Sequence, residues 1–230
     1  DDNAAGVTFT VSSLVNGTIR VGGSAVTGFT GTQLAAGEVS FLHNGTETTS
    51  ASFNVSVEDG NEDGSTPTAL PFTITVSSVN DAPVITGLVS AVTFAENVVN
   101  AGAQTIDPAV TVTDSDSANF DDGTLTISGL VSGQDTVAIA TSGQIAVSGG
   151  IVTFGGANIG SVVGGNGTSL VVSLNGNATP AAISALLSNL TYQNSSNTPT
   201  ADRTLSYVLA DGGGSTSAAA TNGQGAFFEY

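Results

Sequence analysis

Short runs in which apolar and polar residues alternate recur along the chain. Val7-Thr-Phe-Thr-Val-Ser-Ser13, Phe53-Asn-Val-Ser-Val-Glu-Asp-Gly60, Leu125-Thr-Ile-Ser-Gly129 and Leu205-Ser-Tyr-Val-Leu-Ala-Asp-Gly212 are all of this kind. A period of two with β-branched residues at the apolar positions predicts strands with one buried face. Turn signals fall between the runs, at Asn16-Gly17, Asn44-Gly45, Asp122-Gly123 and Asn175-Gly176, which is the punctuation of a β-sandwich. A single helix is predicted at Pro180 to Asn189. Thr179 stands as its N-cap, Pro180 at its first position, and Ile183, Leu186, Leu187 and Leu190 follow at helical spacing. The run Gly155 to Gly167 reads as tight turns between strands, and without a lysine it is not a phosphate loop.

The runs repeat in order. Val7 to Ser13 resembles Leu125 to Gly129, Val39-Ser-Phe-Leu-His-Asn-Gly45 resembles Leu190-Thr-Tyr-Gln-Asn-Ser-Ser196, and Phe53 to Gly60 resembles Leu205 to Gly212. A duplicated all-β plan of two tandem immunoglobulin-like, antiparallel β-sandwiches follows. The expected bounds are 1–79 for the first, 80–83 for a linker and 84–230 for the second, which carries the helix. Pro83 ends the strand before it and imposes an extended crossing. The first copy has no counterpart of Val84 to Thr113, so its sandwich lacks its first strands. Two explanations stay open: a cut through a longer array of repeats, or strand donation, in which Ala226 to Tyr230 of one molecule completes the first domain of the next and builds a head-to-tail filament.

Composition narrows the partners. Nineteen acidic residues face only Arg20 and Arg203, a formal charge of −17. Such a chain has no means of replacing the counterions of phosphate groups, so nucleic acid and anionic membrane surfaces are disfavoured as partners and metal cations are favoured. Cysteine is absent, which removes disulfides and thiolate metal sites. No apolar run is long enough to insert into a membrane as a helix, and the first residues do not read as a signal peptide.

Two acidic stretches have the residue types that calcium takes, since that ion collects six to eight oxygens in irregular geometry. Asp59-Gly-Asn-Glu-Asp-Gly64 reproduces the opening of a looped calcium motif, with Asp59, Asn61 and Asp63 as ligands and Gly64 at the sharp turn; Leu70 stands where the closing Glu would be. The second stretch gathers Asp114, Asp116, Asn119, Asp121 and Asp122. Asp107 and Asp135 read as surface turn residues. Catalysis finds little support. His43 is the only histidine, reads as a half-exposed turn residue, and has no nucleophile elbow or zinc signature around it. Surface glycans are the rival ligand; Phe120 is the one aromatic beside the acidic loop, and it reads as a core residue.

At Asn80-Asp-Ala-Pro83 the sequence resembles the cadherin-like repeats of large bacterial surface proteins, whose Asn-Asp-x-Pro segments join successive sandwiches. The first copy is also similar to the chondroitin-sulfate-proteoglycan type of cadherin-like repeat, through Gly37 to Gly45, Phe53 to Gly60 and Phe72 to Pro83. The second is similar to domains of RTX-type adhesins, through Val110 to Gly123 and Leu186 to Asn194. The resemblance implies an extracellular, adhesive or stalk-forming protein with Ca2+ at its domain junction, stiffening neighbouring repeats into a rod. It implies Asn80 and Asp81 as linker ligands, Asp114 and Asp116 as an Asp-x-Asp loop, Glu96 as the acidic residue near the first strand, and Asp59 and Asp211 at the ends of the penultimate strands. Ala82 departs from the pattern, in which a second Asn is usual, and the second copy has no Asn-Asp-x-Pro at its end.

Overall fold

A computed structural model describes residues 6–60, 64, 67–199, 202–218 and 220–225. Asn61, Asp63 and Ala226 to Tyr230, named above for calcium and for strand donation, lie outside the described residues. The chain divides into two compact units, Asp1–Val79 and Asn80–Tyr230, and both are β-sandwiches.

Unit 1 contains strands β1 (Thr8–Val15), β2 (Gly17–Val21), β3 (Ser24–Ala25), β4 (Gly28–Thr30), β5 (Val39–His43), β6 (Ser50–Glu58) and β7 (Leu70–Thr75), with a short helix α1 (Gly31–Ala35) after β4. One sheet runs β4-β1-β6-β7 and the other β3-β2-β5. Their inner faces meet around Val11, Ile19 and Phe53, with Leu14, Phe29, Phe41 and Ile74 packed against them. Phe53 stacks between Phe72 at 5.0 Å and Phe41 of the facing sheet at 6.5 Å. Gly17 permits this approach, because a Cβ there would run into the Phe41 ring.

Unit 2 adds β8 (Val84–Thr86), β9 (Ala91–Thr93), α2 (Glu96–Ala101), β10 (Gln104–Thr105) and β11 (Thr111–Thr113). Then follow β12 (Thr124–Ser128), β13 (Asp135–Ile139), β14 (Ile145–Ser148), β15 (Ile151–Phe154), β16 (Ala157–Val163), β17 (Leu170–Leu174), α3 (Pro180–Ser188), β18 (Leu190–Asn194), β19 (Arg203–Ala210) and β20 (Ala220–Gly225). The large sheet has the order β14-β15-β16-β17-β12-β19-β20-β9. It faces β10-β18-β13, and β11 pairs separately with β8. Alternation dictates the core: on β19, Arg203, Leu205, Tyr207 and Leu209 point inward while their neighbours face out. On α3, Ala182, Ile183, Leu186 and Leu187 are buried, Pro180 starts the helix and the Thr179 hydroxyl caps it by accepting from the Ala182 N–H at 3.2 Å. Each fully buried Leu or Ile contributes roughly 1.5–3 kcal/mol.

The two units repeat one connectivity. In unit 1, β1 pairs with β6 as Thr8 to Glu58; in unit 2, β12 pairs with β19 as Thr124 to Ala210. β4 and β17 flank β1 and β12, β2 with β5 matches β13 with β18, and β7 matches β20. The sequence predicts one helix, and the described residues form three. α1 escaped notice because it spans five residues and buries none of them; a capping box between Thr30 and Gln33 holds it. The stretch 155–167 is not all turn either, since β16 occupies its centre, with Gly155-Gly156 and Gly164-Gly165 turning at each side in positive-φ conformations.

Candidate cation site at one end of unit 2

Strand pairing brings the acidic segments together. Val84 opens β8 opposite Thr113, which closes β11, so Asn80 and Asp81 enter beside Asp114. Thr124 opens β12 opposite Ala210, which closes β19, so Asp211 stands beside the end of the loop 114–123. Three acidic segments distant in sequence therefore share one end of the sandwich.

Hydrogen bonds tie them. The Asp81 N–H donates to Asp116 Oδ2 at 3.0 Å, and the Ser115 hydroxyl donates to Asp81 Oδ2 at 2.9 Å. Asn80 Nδ2 donates to Asp211 Oδ2 at 2.7 Å, and Ser215 Oγ donates to the Asn80 carbonyl at 3.0 Å. Asp211 is buried, with its other oxygen accepting from the N–H groups of Gly213 and Ser215. Gly213 leaves room for the Asn80 side chain. Gly212, at φ +80°, lies so close to the Asp121 carbonyl that a Cβ would collide with it.

Asp114 is the telling residue. One carboxylate oxygen accepts from the N–H groups of Asp116 at 3.2 Å and Ser117 at 2.8 Å. The other, Oδ2, is buried and meets no donor among the described residues. An orphaned buried carboxylate oxygen costs about 1–3 kcal/mol or more, and a bound cation would remove that cost. Arg203, the basic side chain of unit 2, starts β19, whose other end leads to Asp211, so it does not serve here. The Asp81 N–H holds the Asp116 carboxyl below its ordinary range, with the Asp114 side chain lowering it further.

The remaining predicted ligands are placed as follows. Asn119 Oδ1 accepts from the Asp121 N–H at 3.2 Å, bracing the loop; Asp121 is exposed and faces Gly176. Asp122 is exposed at φ +58°, an allowed left-handed position for Asp. Glu96 does not join them. It heads α2 and accepts from Asn100, which also donates to the Ser196 carbonyl and to Asn197. These follow β18 at the end where Arg203 begins β19, about 26 Å from Asp211 at 3.3 Å per residue. Asp59 belongs to unit 1, is exposed, and donates its N–H to Glu58 Oε1 at 3.1 Å; by register it is the counterpart of Asp211. Among the described residues no three His, Asp or Glu side chains form a ready-made metal cluster. A cation here would therefore draw on Asp114, Asp116 and Asp81 with amide, hydroxyl and carbonyl oxygens completing its shell.

Two carboxylates read as surface turns prove to be buried. Asp107 accepts from the N–H groups of Val89 and Ala109. Asp135 pairs with Arg203 at 2.7 Å and accepts from the Tyr192 hydroxyl, Asn194 and the Val131 N–H. Burial and the Asp135 contact raise the Tyr192 hydroxyl to about 12. Arg203 at an inward position of an alternating strand was the available signal, since a buried guanidinium requires an acid. Phe120 is fully buried and offers no face to a sugar. His43 closes β5, with Nε2 2.9 Å from the Thr48 hydroxyl and Nδ1 accepting from the Gly45 N–H.

Among the described residues no helix is long and apolar enough to cross a membrane. No curated protein matches the chain. Residues 1–76, nearly all of unit 1, match the model of a cadherin-like family, so that this third of the chain is similar to cadherin-like domains.

Proposed function

We propose that the chain is a structural, adhesive module of an extracellular surface protein, in which Ca2+ bound at the Asn80/Asp114 end of unit 2 fixes the connecting segment. The carrying observation is Asp114 Oδ2, buried without a donor beside Asp116 and Asp81. Oxygen ligands, irregular loop geometry and uncompensated negative charge favour a hard divalent cation, and Ca2+ over Mg2+ because calcium tolerates irregular coordination while magnesium demands a near-ideal octahedron. Carboxylates a few ångströms apart repel by about 1 kcal/mol per pair even with solvent screening, and the cation would turn that repulsion into attraction. Holding Asn80 and Asp81 in this way would stiffen the connection between neighbouring repeats. The match of residues 1–76 to a cadherin-like family supports a structural role over a catalytic one.

Calorimetric titration of the chelator-treated chain tests this reading. Saturable Ca2+ binding, weak for Mg2+ and lost in Asp114→Asn and Asp81→Asn, is expected. Equal binding by the wild type and both variants would move the site elsewhere.

A further inference from the structure

The two units differ at their margins. In unit 2 the leading segment 84–106 covers the sandwich: β9 adds in parallel to β20, with Ala91 to Thr93 opposite Gly223 to Gly225, and β10 adds to β18, with Gln104 opposite Tyr192. The segment buries Val99 and Ile106 and packs Ile85, Leu88 and Phe94 against the core; the Phe94 ring lies 6.3 Å from Tyr192. In unit 1 the counterparts β7 and β5 stand at the ends of their sheets, and among the described residues no strand pairs with their outer sides. Leu70 is 64% exposed and Phe72 51%. Between the sheets an apolar groove of about 340 Å³ is lined by Phe9, Ile19, Phe29, Phe41, Phe53 and Phe72.

Register makes the comparison specific. Phe53 to Phe72 in unit 1 corresponds to Leu205 to Asn222 in unit 2, so Thr73, Ile74 and Thr75 occupy the positions of Gly223, Gln224 and Gly225, which accept β9. By the same reasoning Phe41 occupies the position of Tyr192. Neither Val39–His43 nor Leu70–Thr75 carries an Asp, Glu, Lys or Arg, the charges that normally protect an open strand from pairing. Pro71 precedes the accepting stretch and leaves its N–H groups intact.

We propose that this margin of unit 1 is a strand-acceptor site, and that its occupant is the leading segment of a neighbouring repeat, a counterpart of residues 84–106. The incoming strand adds in parallel along Thr73–Thr75, and its aromatic residue enters the groove against Phe41. Main-chain hydrogen bonds supply affinity and the groove supplies selectivity. The site is independent of the cation and operates in chelator.

The test adds a synthetic peptide of residues 84–106 to the whole chain, in chelator and in calcium, and follows amide hydrogen exchange residue by residue. The expected result is saturable binding in both buffers, with exchange slowed about 10-fold or more at Thr73–Thr75 and Val39–His43. A peptide with Val92→Asp and Phe94→Asp should not bind. Three results would overturn the proposal: no protection of the folded chain at the highest soluble peptide concentration; protection confined to Ala220–Gly225, meaning exchange into unit 2; or pairing of Leu70–Thr75 between two copies that the peptide does not displace.

Discussion

Unit 1 and unit 2 share a strand order and a register, yet one has a deep core and the other a shallow one. The core of unit 2 gathers Leu125, Ile127, Val172, Ile183, Leu186 and many others at negligible exposure, whereas that of unit 1 has Val11, Ile19 and Phe53. The difference lies in what surrounds the common plan. Unit 2 has the leading segment, the β14–β16 extension of its sheet and a helix of nine residues; unit 1 has a five-residue helix and, among the described residues, no strand beyond β7 and β5. A shared topology therefore does not carry a shared depth of core, because burial depends on the flanking elements more than on the central strands.

The sharpest way to break the comparison is at the pair Asp135–Arg203, whose counterpart to Asp135 in unit 1 is Gly17. Asp135→Ala removes the only carboxylate paired with the buried Arg203 guanidinium among the described residues, leaving its bond to Gln134, and should destabilise unit 2 by about 3–5 kcal/mol, while unit 1 keeps its unfolding midpoint in denaturant. The helices come next. Leu186→Ala on α3 should cost about 2–5 kcal/mol through the cavity it leaves. Leu34→Ala on α1, where Leu34 is 48% exposed, should change stability by under about 1 kcal/mol. Asp211 and Asp59 form a third contrast. Asp211→Ala strands the N–H groups of Gly213 and Ser215 and takes one of its two acceptors from the Asn80 amide, a loss of about 1–3 kcal/mol, whereas the exposed Asp59→Ala should stay within about 0.5 kcal/mol. The smallest effect is acidic. The Asp116 carboxyl is held below its ordinary range by the Asp81 N–H, so its contribution is present above about pH 4 and is lost as pH falls through the lower folded-state value. The Asp81 amide resonance should follow that titration.

Much of this plan was legible in the chain. Alternation and turn residues predicted the sandwiches, and three matched blocks predicted the shared connectivity, because a period of two records directly which face is buried. Thr179, Pro180 and the apolar positions after them predicted α3. The short α1 was not legible, since a capping box over one turn leaves no periodic stripe. Asp135 was misread because its burial depends on Arg203, 68 positions away, and Asp114 stood out as one of five polar residues rather than as the one with an orphaned oxygen. Glu96 was grouped with the linker by resemblance, while strand direction places it at the far end of the unit.

The proposed cation site lies where Asn80, Asp81, Asp114 and Asp116 converge. Thermal unfolding of the whole chain by calorimetry, in chelator and in saturating calcium, tests it most directly. Calcium should raise the midpoint of the unit 2 transition, magnesium should not, and Asp114→Asn should remove the gain. An unchanged midpoint in calcium would contradict it and leave the loop 114–123 as a solvated acidic turn.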